Sequence, residues 1–360
     1  MGKLAVYRYF SLMFLIATIV VMLFTFAGLL GGRVDPVGNT AMAMLVYILP
    51  ILIILNVLLL IYWIVRRRWR YIALPIIPIL CSIPYMGTLF QLRSQPSNVD
   101  NIKGLKIASY NVQVFGRETT GFKAEDILAE MKRQKIDVLC LQEYADANGN
   151  KKNSDSYKEY FPYMAMGESD MVIFSRYPIK EQKNIPFSDH GDGTGWTTNN
   201  SAMWATIDVK GKLLRVFNVH LETTGFNRAK HQAEKIVAQG RNVENNRLVK
   251  AIYGNYTLGM IVRAGQARLV ANEVAMSDVP CILCGDFNDV PYSYTYNTLL
   301  GNLVDGFKEC GSGFNYTFRE PSKPFRIDYI FHDESLEGIT YYTKEISYSD
   351  HLPVFMKIAL

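Results

Sequence analysis

An α/β domain behind an apolar, membrane-type N-terminal segment is the fold class that this 360-residue sequence predicts. Three observations lead there. Apolar stretches fill most of Phe10–Leu92. From Leu105 onward, short β-rich runs alternate with turns and amphipathic stretches. The charge divides at the same place: residues 1–103 carry 9 Lys+Arg against 2 Asp+Glu, net +7, and residues 104–360 carry 29 against 31, net −2, which gives the chain its +5. The length suits one large domain plus an extra part. The basic excess belongs to the apolar part. The remainder has none, which argues against a large polyanion-binding footprint.

The apolar part predicts three transmembrane helices, Phe10–Leu30, Ala41–Val65 and Tyr71–Leu92, the last kinked by Pro75, Pro78 and Pro84, with a re-entrant hairpin as its alternative. A cleaved signal peptide fits poorly, because the first apolar core is long, no small-x-small site follows it, and two more apolar stretches come after. The Arg66-Arg67-Arg68-Trp69-Arg70 cluster predicts a cytoplasmic loop between the second and third spans. Three spans then place everything beyond Leu92 outside the cytoplasm, periplasmic or extracellular. Residues 1–95 are thus expected as the membrane domain, 96–103 as a linker and 104–360 as the catalytic domain.

Within that last part the expected strands are Leu105–Tyr110, Val138–Gln142, Met171–Ser175, Ala202–Val209, Leu213–Val219, Val279–Cys284, Arg326–Phe331 and Val354–Ile358. Lys123–Gln134 reads as an amphipathic helix. Arg228–Met276 reads as largely helical, with a break around Tyr253–Leu258, and Gly225–Leu258 is a lid, a substrate-selecting surface or a solvated helical pair. The five cysteines include a CxxC at Cys281 and Cys284. It lies on a strand rather than at a helix start, so buried thiols are expected rather than a redox pair. Polar residues recur where strands end: Asn111, Glu143, His220, Asp286, Asn288 and Asp328. A rigid sheet that presents carboxylates and amides this way can hold a metal site with little reorganisation.

Six short motifs occur in order: Ser109-Tyr110-Asn111, Leu141-Gln142-Glu143, Asn218-Val219-His220-Leu221, Gly285-Asp286-Phe287-Asn288, Arg326-Ile327-Asp328-Tyr329-Ile330 and Ser349-Asp350-His351. In them the chain from Leu105 onward resembles the endonuclease/exonuclease/phosphatase superfamily of metal-dependent phosphoesterases. The resemblance implies a four-layer α/β sandwich, two packed mixed β-sheets flanked by helices. It implies Glu143 as the main ligand of one Mg²⁺ or Mn²⁺, with Asn111 and Asp350 nearby. It also implies Asp286 as the residue that activates water, Asn288, His351 and His220 against phosphoryl oxygens, and Asp328 as the partner of His351. Chemistry agrees for that pair: Asp328 sits among apolar neighbours, and a buried carboxylate needs a partner. Arg263, Tyr292 and Tyr294 are candidate substrate contacts, with surface exposure or packing as the alternatives.

The expected function is hydrolysis of a phosphoester, most simply a phosphodiester, by direct attack of water. The substrate would be a lipid head group, another small phosphodiester or a nucleic acid, and the lipid bilayer is the other partner; no protein partner is inferred. An extracytoplasmic DNA or RNA nuclease is the alternative, and a catalytically dead membrane binding protein a lesser one.

Overall fold

The computed structural model describes residues 3–94, 102–116, 124–144, 154–168, 170–187, 200–223, 245–319, 325–346 and 348–360. They form two compact units, Met1–Thr88 with Pro291–Asn297, and Leu89–Val290 with Thr298–Leu360. The expected linker lies mostly outside the described residues.

In the first unit two helical runs, Tyr7–Gly31 and Thr40–Val65, are long and apolar enough to cross a membrane. Polar side chains tie them together. Asn56 Nδ2 donates to Thr25 Oγ1 at 2.8 Å, and Trp63 Nε1 donates to Thr18 Oγ1 at 3.0 Å. On each helix the two residues are seven apart, which puts them on one face two turns apart. The expected third span is not one helix. Its residues form Ala73–Cys81 and Ile83–Met86, separated at Ser82. Pro78 lies inside the first piece and Pro84 opens the second, and each removes a backbone donor from the helical ladder. Nine helical residues extend about 14 Å, well short of a bilayer core of about 30 Å. By length and composition the described residues therefore hold two candidate spans, not three.

In the second unit the strands are β1 (Phe90–Gln91), β2 (Gly104–Asn111), β3 (Val138–Gln142), β4 (Tyr163–Met166), β5 (Val172–Ser175), β6 (Ile179–Pro186) and β7 (Ser201–Val209). They continue as β8 (Lys212–His220), β9 (Cys281–Asp286), β10 (Val304–Asp305), β11 (Gly313–Phe314), β12 (Asp328–His332), β13 (Gly338–Thr343) and β14 (Val354–Ala359). Two six-stranded sheets result, β13-β14-β2-β3-β5-β4 and β10-β12-β9-β8-β7-β6, while β1 and β11 form a separate pair. Each large sheet is mixed. Its one parallel pair, β2–β3 or β8–β9, lies at the centre, and the other neighbours are antiparallel.

Alternation along the strands builds the layers. On β3, Val138 and Cys140 face a core shared with Ile107, Val216, Ile282 and Ile330, between the sheets. Leu139 and Leu141 face the other way, onto Ile127, Met131 and Tyr157 of the helices Ala124–Gln134 and Ser154–Lys158. The long helix Asn245–Ala275 is held to the second sheet, with Glu273 accepting from Trp204 Nε1 of β7 and pairing with Lys183 of β6. The two mixed sheets are thus flanked by helices. That helix runs unbroken through Tyr253–Leu258, where a break was expected; a Cβ on Gly254 would meet nothing. Residues 224–244, the first part of the expected lid, lie outside the described residues. The β7–β8 hairpin turns in two residues, Lys210 and Gly211, both at positive φ, as a tight twisted hairpin requires.

Candidate active site

The two parallel pairs explain why polar residues converge. Parallel neighbours end at the same edge of a sheet. Asn111 ends β2 and Glu143 follows β3; His220 ends β8 and Asp286 ends β9. Antiparallel β12 begins there, with Asp328 opposite Asp286, and His220 is opposite Asp286 on the other side. Strand register alone therefore sets His220, Asp286 and Asp328 in one row. Gly285 makes this possible. Its φ is +141°, and a Cβ there would lie 1.9 Å from the Val219 carbonyl oxygen.

Asp286 is the centre of the cluster and is 1% exposed. Its Oδ1 accepts from the Asn288 backbone N–H at 2.8 Å, and its Oδ2 from Asn111 Nδ2 at 3.1 Å and Asn288 Nδ2 at 3.3 Å. The Nε2 atoms of His351 and His220 lie 3.7 and 4.0 Å from that Oδ2. Asn111 Nδ2 also donates to Glu143 Oε1 at 3.2 Å, so one amide bridges the two carboxylates. Asn288 Nδ2 further donates to the Leu221 carbonyl at 2.9 Å.

His351 Nδ1 lies 3.0 Å from Asp328 Oδ2. A carboxylate only accepts, so Nδ1 carries the proton and Nε2 points at Asp286. Asp350 Oδ1 is 3.9 Å from the same Nε2. His220 Nε2 is 3.8 Å from Glu143 Oε1, and its Nδ1 is 3.4 Å from Asp170 Oδ2. Glu143 and Asn288 both adopt positive φ, +54° and +51°. Backbone strain of this kind concentrates where surrounding structure fixes functional groups.

The charges follow from burial and neighbours. Burial opposes the cationic form of His351, but Asp328 and Asp286 outweigh it and hold its pKa well above the ordinary value. Burial likewise opposes His220, whose pKa Asp170, Asp286 and Glu143 nevertheless raise to about 9. Burial pushes Asp286 upward, with Asp328 adding to it and the two imidazoles opposing. Burial also raises Glu143.

The structure thus brings together Asn111, Glu143, His220, Asp286, Asn288, Asp328, Asp350 and His351. Arg263 is not a surface contact for phosphate. It is 0% exposed, with Nε 3.4 Å from Asp289 Oδ2 and Nη1 donating to the Glu222 carbonyl at 3.1 Å; its helix face turns inward, so these two donors meet the protein. Tyr292 and Tyr294 fall in the other unit. There the Tyr292 ring meets that of Tyr85 at 5.6 Å, and the Tyr294 hydroxyl lies 3.3 Å from Asp35 Oδ2, so both have protein partners. Asp170 was not singled out in the sequence. It stands in a turn before β5 with no motif around it, and only the fold sets it beside His220.

The chain belongs to the Endonuclease/Exonuclease/phosphatase family, whose model matches residues 108–351. Residues 11–89 match a second model, Domain of unknown function (DUF8431). Sphingomyelinase C 2 of Leptospira interrogans is 22% identical over 272 residues, 61% of this chain and 39% of that protein. Sphingomyelinase C of Leptospira interrogans is 21% identical over 312 residues, 70% of this chain and 51% of that protein. The chain therefore spans about half the length, or less, of these curated relatives. Among solved structures, the endonuclease/exonuclease/phosphatase from Beutenbergia cavernae superposes with a TM-score of 0.52 at 20% identity, over 72% of each chain, a likeness of fold.

Proposed function

We propose that the chain is a divalent-metal-dependent phosphodiester hydrolase, anchored in a membrane by its two long apolar helices, that acts on lipid head groups or similar small diesters. The observation that carries the reaction is Asp286, set between two imidazole Nε2 atoms and joined through Asn111 to Glu143.

The donor set fits a hard cation. Glu143, Asp170, Asp286, Asp328 and Asp350 outnumber the two histidines, and burial disfavours the charge on Glu143 and Asp286. Among the described residues, Asp286, Asp328 and His351 also offer ligand atoms within 4.8 Å of one another. His351 Nδ1, however, faces Asp328, and Mg²⁺ prefers oxygen. Glu143, with Asp350 nearby and its carboxylate held by Asn111 Nδ2, is the better seat, and carboxylate oxygens suit Mg²⁺ or Mn²⁺. When bound there, the ion supplies positive charge to a phosphoryl oxygen and to the leaving oxygen.

The remaining chemistry belongs to side chains. Asp286 orients the attacking water and takes its proton at Oδ2; a carboxyl whose pKa is raised toward working pH is the better base. Asp328 fixes His351 so that Nε2–H faces the phosphoryl group. His220, held by Asp170, donates to the same group, while Asn288 Nδ2, which donates to Asp286 Oδ2 and the Leu221 carbonyl, holds the carboxylate in place. The one hydroxyl described beside Asp350 and His351, that of Ser349, donates to the Asn111 carbonyl at 2.8 Å, so water is the nucleophile.

Two observations support a small or lipid diester: the relatives named sphingomyelinase, and the net −2 of residues 104–360. The outer location expected from the sequence rested on an odd number of crossings, and two long helices do not supply one. Only the Arg66–Arg70 turn is assigned a side, the cytoplasmic one.

The test is turnover by the full chain, with Mg²⁺ or with EDTA, on bis-p-nitrophenyl phosphate, phospholipid vesicles, and single- and double-stranded DNA. Metal-dependent cleavage of the diester or lipid is expected. DNA cleavage at low enzyme would replace this substrate reading with a nuclease.

A further inference from the structure

Two short chain segments leave the row of strand ends. Leu221-Glu222 follows His220, and Phe287-Asn288-Asp289 follows Asp286. In front, Asn288 Nδ2 joins them through the Leu221 carbonyl. Behind, the Asn245–Ala275 helix joins them again. Arg263 reaches Asp289 Oδ2 through Nε and the Glu222 carbonyl through Nη1. Gln266 Oε1 accepts the Glu222 backbone N–H at 2.8 Å. Positions 263 and 266 are three apart and share a helix face. Arg263 and Gln266 are 0% exposed, and Glu222 and Asp289 are 4% and 3% exposed. Tyr329, on the strand that begins with Asp328, places its hydroxyl 2.8 Å from the Asp289 carbonyl.

From this geometry we infer that Arg263 and Gln266 are positioning residues, which hold the His220 and Asn288 segments at a fixed spacing from behind and keep Asn288 in its left-handed conformation. A helix is rigid where a loop is not, and the polar side chains of one helix face, Arg263 donating and Gln266 accepting, impose one separation on both segments. Asn288 stands at φ +51°, in the left-handed region that Asn enters more readily than other non-glycine residues. The Arg263–Asp289 pair, buried on both sides, holds the residue next to it. This role rests on the hydrolase reading for its catalytic consequence, but not for its structural one.

The test therefore has two arms on the full chain. Hydrogen–deuterium exchange of Arg263→Lys and of Gln266→Leu is expected to rise in residues 219–223 and 286–290 together, with β2 and β3 at wild-type protection. Wild-type exchange in either segment, or a rise spread evenly over the whole unit, would overturn the inference. In the kinetic arm both variants should lose kcat by about 10–100-fold, with KM nearly unchanged. Arg263→Met/Asp289→Asn removes both buried charges. It should regain thermal stability and remain slow; wild-type kcat in that double variant would show that Arg263 only neutralises Asp289. An inactive wild type would defeat the hydrolase reading, while the exchange arm would still decide the brace.

Discussion

At Asp286 two requirements meet in one carboxylate. It is buried among like charges, which raises its pKa, and it is flanked by two imidazoles that restrain the rise. Replacing it tests catalysis with little change of shape. Asp286→Asn keeps the volume and the hydrogen-bonding reach but removes the base, so kcat should fall by about 10²–10⁴-fold while the unfolding midpoint stays near that of wild type. Glu143→Gln should also abolish turnover and, in addition, weaken Mg²⁺ binding in a calorimetric titration. Unchanged metal affinity would remove Glu143 from the metal seat. Asp170 is the instructive omission at this scale. Its partner His220 was legible from a motif, but a carboxylate in an unmarked turn becomes visible only when the chain between the two folds back.

Among the elements, the eight strands expected from sequence are the eight interior strands of the two sheets. β4, β6, β10 and β13 were not expected, and they are the four sheet edges. Interior strands are buried on both faces and read as apolar runs, such as Val138–Gln142. Of the edge strands, β6 carries charge against aggregation, in Lys180, Glu181 and Lys183, and so reads as a loop, while β10 and β4 are only two and four residues long. The proline-bearing third apolar stretch failed in the opposite sense: its composition suits a membrane, but its prolines break the helix. The two long helices carry their own test. Asn56→Leu removes the donor to Thr25 and should destabilise the hairpin by about 1–2 kcal/mol, read as a lower unfolding temperature of the full chain in detergent. An equal or higher one would mean that packing alone joins the helices.

For the molecule as a whole, charge and hydropathy change together along the chain and divide it into the same two parts. The N-terminal residues hold the basic excess, in the Arg66–Arg70 turn above all, and that asymmetry orients a membrane protein. Arg67→Cys should be labelled by a membrane-impermeant maleimide only from the cytoplasmic side; labelling from outside would reverse the orientation.

The sequence by itself determined the apolar and α/β parts, the order of the interior strands along the chain, and most of the polar residues at strand ends, because hydropathy period and short motifs are local properties. Tertiary structure alone decided which strand ends meet, since that depends on two parallel pairings between distant segments. It decided that Arg263 faces inward to Asp289 and Glu222 rather than outward to substrate, since the buried face of a long helix is set by what packs against it. It also decided that Asp170 stands beside His220, because a contact between distant positions leaves no pattern in either neighbourhood.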